Sequence, residues 1–173
     1  MRWILVALAG LVLLVALIAV IGAMLPKGHV AARSAVFGRP PQEVWDAIHG
    51  FASYPEWRRE TTKVEILEPV EGRERFRETS RFGVITFAVD EADPPRRMVT
   101  RIADTGLAFG GSWTYELTPV PEGTRLTITE RGEVYNVFFR FLSRTVFSPH
   151  ATIDAVLSAL GRKFGETVTP APA

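Results

Sequence analysis

The sequence predicts an α+β fold: a curved antiparallel sheet packed on a long C-terminal helix, with one transmembrane helix in front. Three observations carry this. Trp3 to Leu25 is apolar and holds no charged residue. From Thr61 to Glu130 apolar residues recur with a period of two, in runs broken by turn signals. From Phe138 to Phe164 the period becomes that of a helix.

The 173 residues suffice for one domain and an appendage, and the 47% apolar content can fill a sizeable core. A formal net charge of +1 gives no electrostatic case for nucleic acid as a partner. There are no cysteines, which excludes disulfides, thiol nucleophiles and cysteine metal sites.

The N-terminal run is long enough, as a helix, to cross a hydrocarbon layer of roughly 30 Å. Arg2 precedes it, Pro26 and Lys27 end it, and Trp3 suits the membrane interface. A signal peptide would have an apolar region of about 7–15 residues and a small-residue cleavage site. This run is longer and no clean site follows it. A retained single-pass anchor over residues 1–28, hinge included, is therefore expected, with the lipid bilayer as partner. Lys27, Arg33 and Arg39 outnumber Arg2 and the terminal amine. The positive-inside rule thus favours a cytoplasmic domain.

The domain proper is expected over residues 29–166. His29 to Phe37 reads as a first strand, broken by Gly38-Arg39-Pro40-Pro41. Pro41 suits the first turn of a helix, Val44, Trp45 and Ile48 share a face, and Gly50 is a natural stop. A second short helix or turn follows, with Ser53 as cap and Trp57 turned inward. About six strands come next. In them Phe76, Glu78 and Ser80 share a side, as do Met98, Thr100 and Ile102, then Trp113, Tyr115 and Leu117, then Leu126, Ile128 and Glu130. Gly106 to Gly111 reads as a loose connection. Clean alternation means one wet face and one covered face. The cover is expected from Phe138, Phe141, Leu142 and Val146, then Ile153, Val156, Leu157, Leu160 and Phe164, with Pro149 between the halves. Residues 167–173 read as a loose tail.

If those faces point inward, sheet and helix enclose an apolar pocket lined by Trp57, Phe76, Phe87, Met98, Trp113, Ile128, Phe141 and Leu157. Its sparse polar points are Glu78, Ser80, Thr100, Tyr115 and Glu130, a pattern that suits small-molecule sites. A desolvated carboxylate there is a candidate general acid or base. The plainer readings are an ion pair between Glu78 and Arg75, Arg77 or Arg81, and a wet rim position for Glu130. Trp45, Trp57, Phe87, Trp113 and Phe139 read first as packing groups. Arg140 and Arg144 share a side of the C-terminal helix, read as a solvated face rather than a lipid contact. His29, His49 and His150 make no metal motif. Gly106-x-x-x-Gly110-Gly111 lacks the lysine of a phosphate loop, and Ser34, Ser53 and Ser112 lack a nucleophile signature. No metal or cofactor is expected.

The element order, with Pro41-Gln42-Glu43-Val44-Trp45-Asp46-Ala47-Ile48, Tyr54-Pro55-Glu56-Trp57, Asp93-Pro94-Pro95 and Gly123-Thr124-Arg125-Leu126, resembles the START-like, or polyketide cyclase (SRPBCC), superfamily with its helix-grip fold. The resemblance covers roughly His29 to Gly165. It implies a cavity for an apolar molecule such as a lipid, isoprenoid or polyketide. The leading expectation is a membrane-anchored binding protein. The alternatives are a cyclase or dehydratase using Glu78 or Glu130, and an interaction or stress-response module with a collapsed pocket.

Overall fold

The computed structural model describes residues 2–81, 83–145, 148 and 150–173. Helix α1 (Arg2–Met24) leads through a short hinge into strand β1 (Gly28–Phe37). Helix α2 (Pro41–His49), a 3-10 turn (Phe51–Ser53) and helix α3 (Tyr54–Trp57) follow. Then come β2 (Thr61–Val70), β3 (Arg73–Ser80), β4 (Gly83–Asp93), β5 (Arg97–Ile102), β6 (Phe109–Val120) and β7 (Gly123–Val134). Helices α4 (Val137–Thr145) and α5 (Ala151–Lys163) and a short strand β8 (Ala171–Pro172) end the chain.

The strands form one sheet in the order β2-β3-β4-β5-β6-β7-β1-β8. All its pairings are antiparallel. Register shifts at Thr61/Lys63, Leu67/Val70 and Val89/Glu91 bend it, because an unpaired extra residue kinks its strand. The inward sets are those the alternation predicts. Tyr115 lies opposite Ile128 and Met98, Trp113 opposite Glu130 and Thr100, and Phe76 opposite Phe87.

Helix α2 begins at Pro41, whose missing N–H costs nothing in a first turn, and buries Val44, Trp45, Ala47 and Ile48. Ser53 does not cap α3; its hydroxyl donates to the Gly50 carbonyl at 2.8 Å. Helix α5 presses Ile153, Leu157 and Leu160 into a core that holds Phe37, Leu126 and Ile128, all at 1% exposure or less. Val156 and Phe164 pack beside them.

Three expectations need correction. The C-terminal apolar stripe forms two helices, and of these α5 packs on the core as the expected cover. On α4, Phe138 and Leu142 are 42% and 41% exposed and Phe139 is 58% exposed, so these residues are not packing groups. Arg140 is buried at 4% exposure instead of forming a solvated face. The tail is not loose: Val168 packs against the core, and Ala171 and Pro172 pair with Ser34 and Arg33 of β1. That pairing covers part of what would be a bare sheet edge. Val146 and Pro149, expected in the stripe and at its break, lie outside the described residues, as does the side chain of Arg144.

Candidate functional site

The concave side of the sheet carries an aromatic row. Phe51 stacks on Phe76 (centroids 4.1 Å apart), Phe76 on Phe87 (5.1 Å), and Phe87 meets Trp113 edge-on (5.8 Å). The row changes character along its length. Phe76, Met98, Thr100, Ile128 and Leu157 are sealed at 3% exposure or less, and Trp57 and Glu78 nearly so. Phe87, Trp113, Tyr115, Glu130 and Ser80 keep part of their surface accessible. Phe141 is half-buried on α4, which packs on α1 and β7. The proposed lining thus divides into a solid wall and a partly open strip.

Two carboxylates sit on this surface in different roles. Glu78 accepts from Arg58 Nη1 (3.0 Å) and Nη2 (3.3 Å), and from the Thr61 hydroxyl (2.8 Å). Its partner is therefore Arg58, not Arg75, Arg77 or Arg81 as the strand pattern suggested. Arg58 in turn lies 4.7 Å over the Tyr54 ring. Tyr54 donates to the Ile48 carbonyl at 2.6 Å, and burial pushes its phenol well above the usual range. This network is structural, although the buried Arg58 Nε has no hydrogen-bond partner within it.

Glu130 lies inside β7, four residues before its end at Val134, and its side chain is 13% exposed. It accepts from Trp113 Nε1 at 3.0 Å and faces His29 Nε2 at 3.4 Å. His29 comes from β1, 101 residues earlier in the sequence, and the β1–β7 register puts it opposite Gly132, whose missing side chain leaves room for the ring. Tyr115 lies deep beside them, hydrogen-bonded to Thr100. Burial foremost raises its phenol above the ordinary range.

Next to this strip opens a cleft of about 840 Å³. It is walled by the start of β1 (Gly28 to Val30), the 104–107 segment, the start of β6 (Phe109 to Ser112) and the end of β7 through Tyr135. Two cleft residues adjoin the strip: Ile102 pairs with Phe87 and His29 meets Glu130. None of the residues expected to line the pocket lies in this cleft. Its sequence signal is a density of glycines: Gly28 and Gly106 leave open space, while Gly110, Gly111 and Gly132 admit close approach by Tyr135, the Arg131 backbone and the His29 ring. Among the described residues no cluster of histidine and carboxylate groups could hold a metal ion.

A family profile described as polyketide cyclase / dehydrase and lipid transport matches residues 29–165. The chain belongs to this polyketide cyclase/dehydrase family. Solved structures agree on the fold. A START superfamily protein from Mycobacterium smegmatis aligns with a TM-score of 0.62 at 19% identity, covering 78% of this chain and 96% of that one. The Zhui aromatase/cyclase from Streptomyces sp. R1128 aligns at 0.57 and 19% identity, covering 79% and 96%. The di-domain aromatase/cyclase BexL of the BE-7585A biosynthetic pathway aligns at 0.56 and 15% identity, covering 80% of this chain and 47% of its own length. No curated protein matched the chain by sequence. As a member of this family, the chain has a START-like fold of the kind that holds hydrophobic ligands or cyclises polyketides, preceded by one long apolar helix.

Proposed function

We propose that this protein is a membrane-tethered binding protein for a hydrophobic small molecule, taken from or delivered to the bilayer, with its domain on the cytoplasmic side. The observation that carries the reading is the partly open strip of Phe87, Trp113 and Tyr115, beside a cleft whose wall includes the start of β1 just past the hinge. Apolar walls supply affinity, and a few polar groups fix orientation. Here His29, Glu130 and Tyr115 are those polar groups. A molecule leaving the bilayer beside the hinge meets the cleft first and the aromatic strip behind it.

Retention of α1 is supported by contacts at its end. Arg140 Nη1 donates to the carbonyls of Gly22 (3.1 Å) and Leu25 (3.3 Å), so the helix is built into the domain.

The test is native mass spectrometry of the full chain released from lipid nanodiscs. The expected result is a domain carrying apolar molecules of defined mass, with a loss of occupancy in Trp113→Ala. A ligand-free domain that also takes up no fluorescent fatty acid contradicts the proposal. A cyclase reading rests on the His29–Glu130 contact. It predicts that Glu130→Gln abolishes turnover of a polyketide-like substrate while leaving its binding in place.

A further inference from the structure

Arg140 is a buried guanidinium that donates to four backbone carbonyls. They are those of Gly22 and Leu25 at the end of α1, and those of Val134 (3.0 Å) and Tyr135 (3.0 Å) after β7. The last carbonyls of a helix have no partner within it and carry the negative end of its dipole, so a cation there answers both deficits. The approach is close. A side chain at Gly22 would collide with the Val137 carbonyl, so only glycine lets α4 lie against α1 here. Asn136 holds the start of α4 by accepting from the backbone N–H of Phe138 (2.9 Å) and Phe139 (3.2 Å).

With Arg140 turned inward, α4 turns its other side out. Phe138, Phe139 and Leu142 share that side, and each is more than 40% exposed. The 23 residues of α1 span about 34 Å as a helix, a few ångströms more than the roughly 30 Å of hydrocarbon. Gly22 therefore falls at the depth where acyl chains give way to headgroups. A helix in contact with Gly22 lies at that same depth.

We infer that α4 is a second membrane contact, its Phe138, Phe139 and Leu142 edge seated in the leaflet from which α1 emerges. This rests on α1 being a retained anchor. The occupant is the bilayer and not another protein, because the exposed edge continues a surface that α1 already commits to lipid. An interfacial helix of this kind buries its apolar face at the acyl boundary. Two points of attachment, α1 and α4, would fix the domain's tilt and hold the cleft by Gly28 and Tyr135 at the membrane surface. An anchor alone would leave the domain free to swing on its hinge.

The absence of cysteine makes the test direct, since any cysteine introduced is unique. An environment-sensitive fluorophore is attached to the full chain at Phe139→Cys, at Leu13→Cys in mid-α1, or at Arg125→Cys at the far end of β7. Each chain is reconstituted in vesicles of phosphatidylcholine and phosphatidylglycerol with spin-labelled lipids. Expected is loss of most emission at Leu13→Cys from labels deep in the acyl chain and at Phe139→Cys from labels near the headgroup, with none at Arg125→Cys. Quenching at Leu13→Cys without quenching at Phe139→Cys overturns this inference and leaves the anchor standing. No quenching at either site overturns both. To show that the label itself does not drive insertion, the unlabelled Phe138→Ser/Phe139→Ser chain is examined by limited proteolysis on the same vesicles. Faster cleavage of the hinge than in the unaltered chain is expected, and an unchanged rate contradicts the inference.

Discussion

The concave face has two halves built from the same strands in the same register, and they differ in what covers them. Towards the β6–β7 turn, Phe37, Met98, Leu117, Leu126 and Ile128 are sealed in a core completed by α2 and α5. Towards the hinge, Phe87, Trp113, Tyr115 and Glu130 point the same way and stay partly accessible, and glycines replace side chains around the neighbouring cleft. Stability therefore belongs to the first half, and the proposed ligand would enter the second. Alternation decides which residues face inward; the placement of helices decides which of them are filled in.

The comparison can be broken by substitution. The largest stability effect is expected in the sealed half. Leu157→Ala removes a fully buried side chain, and about 2–5 kcal/mol should be lost in denaturant unfolding, while ligand uptake per folded molecule is unchanged. Next comes Arg58→Ala, which leaves Glu78, at 9% side-chain exposure, without its cation. About 1.5–3 kcal/mol is expected, and a selective loss of uptake instead would move Glu78 into the binding half.

Alkaline pH sharpens the same boundary. Tyr54 and Tyr115 have phenols raised by burial, so the unfolded chain releases their protons first as pH rises past about 10. Folding stability is then fully present below that pH and falls above it. Tyr54→Phe should flatten this fall more than Tyr115→Phe, because the Tyr54 shift is the larger; equal effects would mean that the two halves exclude water alike. The smallest stability effect is expected for Glu130→Gln, roughly 1 kcal/mol or less by calorimetry, since the pair with His29 is weak and partly wet. Uptake should nevertheless change, as a polar anchor of the ligand is altered.

Much of this was legible in the sequence. The period of two in Trp113-Thr114-Tyr115-Glu116-Leu117 fixes its own inward side, and Pro41 and Gly50 bracket α2 by local chemistry alone. What escaped is tertiary in origin. Arg58 reaches Glu78 because α3 ends beside β2 and β3, and His29 reaches Glu130 through the β1–β7 register. Helical spacing in Phe138, Phe141 and Leu142 announces an apolar side but not its partner. The inward pull of Arg140 on the end of α1 turns that side away from the sheet. The cleft was invisible because its walls come from four separate segments, the starts of β1 and β6, residues 104–107 and the end of β7, which only the sheet register brings together.

The open half is expected to take up an apolar molecule. The most direct measurement is photocrosslinking of a diazirine-bearing fatty acid to the full chain in vesicles, with adducts mapped by peptide mass spectrometry. Adducts are expected at Phe87, Trp113 and Tyr115 and along the cleft at Phe109 and Tyr135, in excess over the sealed half. Adducts confined to α1 and α4, with none on the strands, would contradict it.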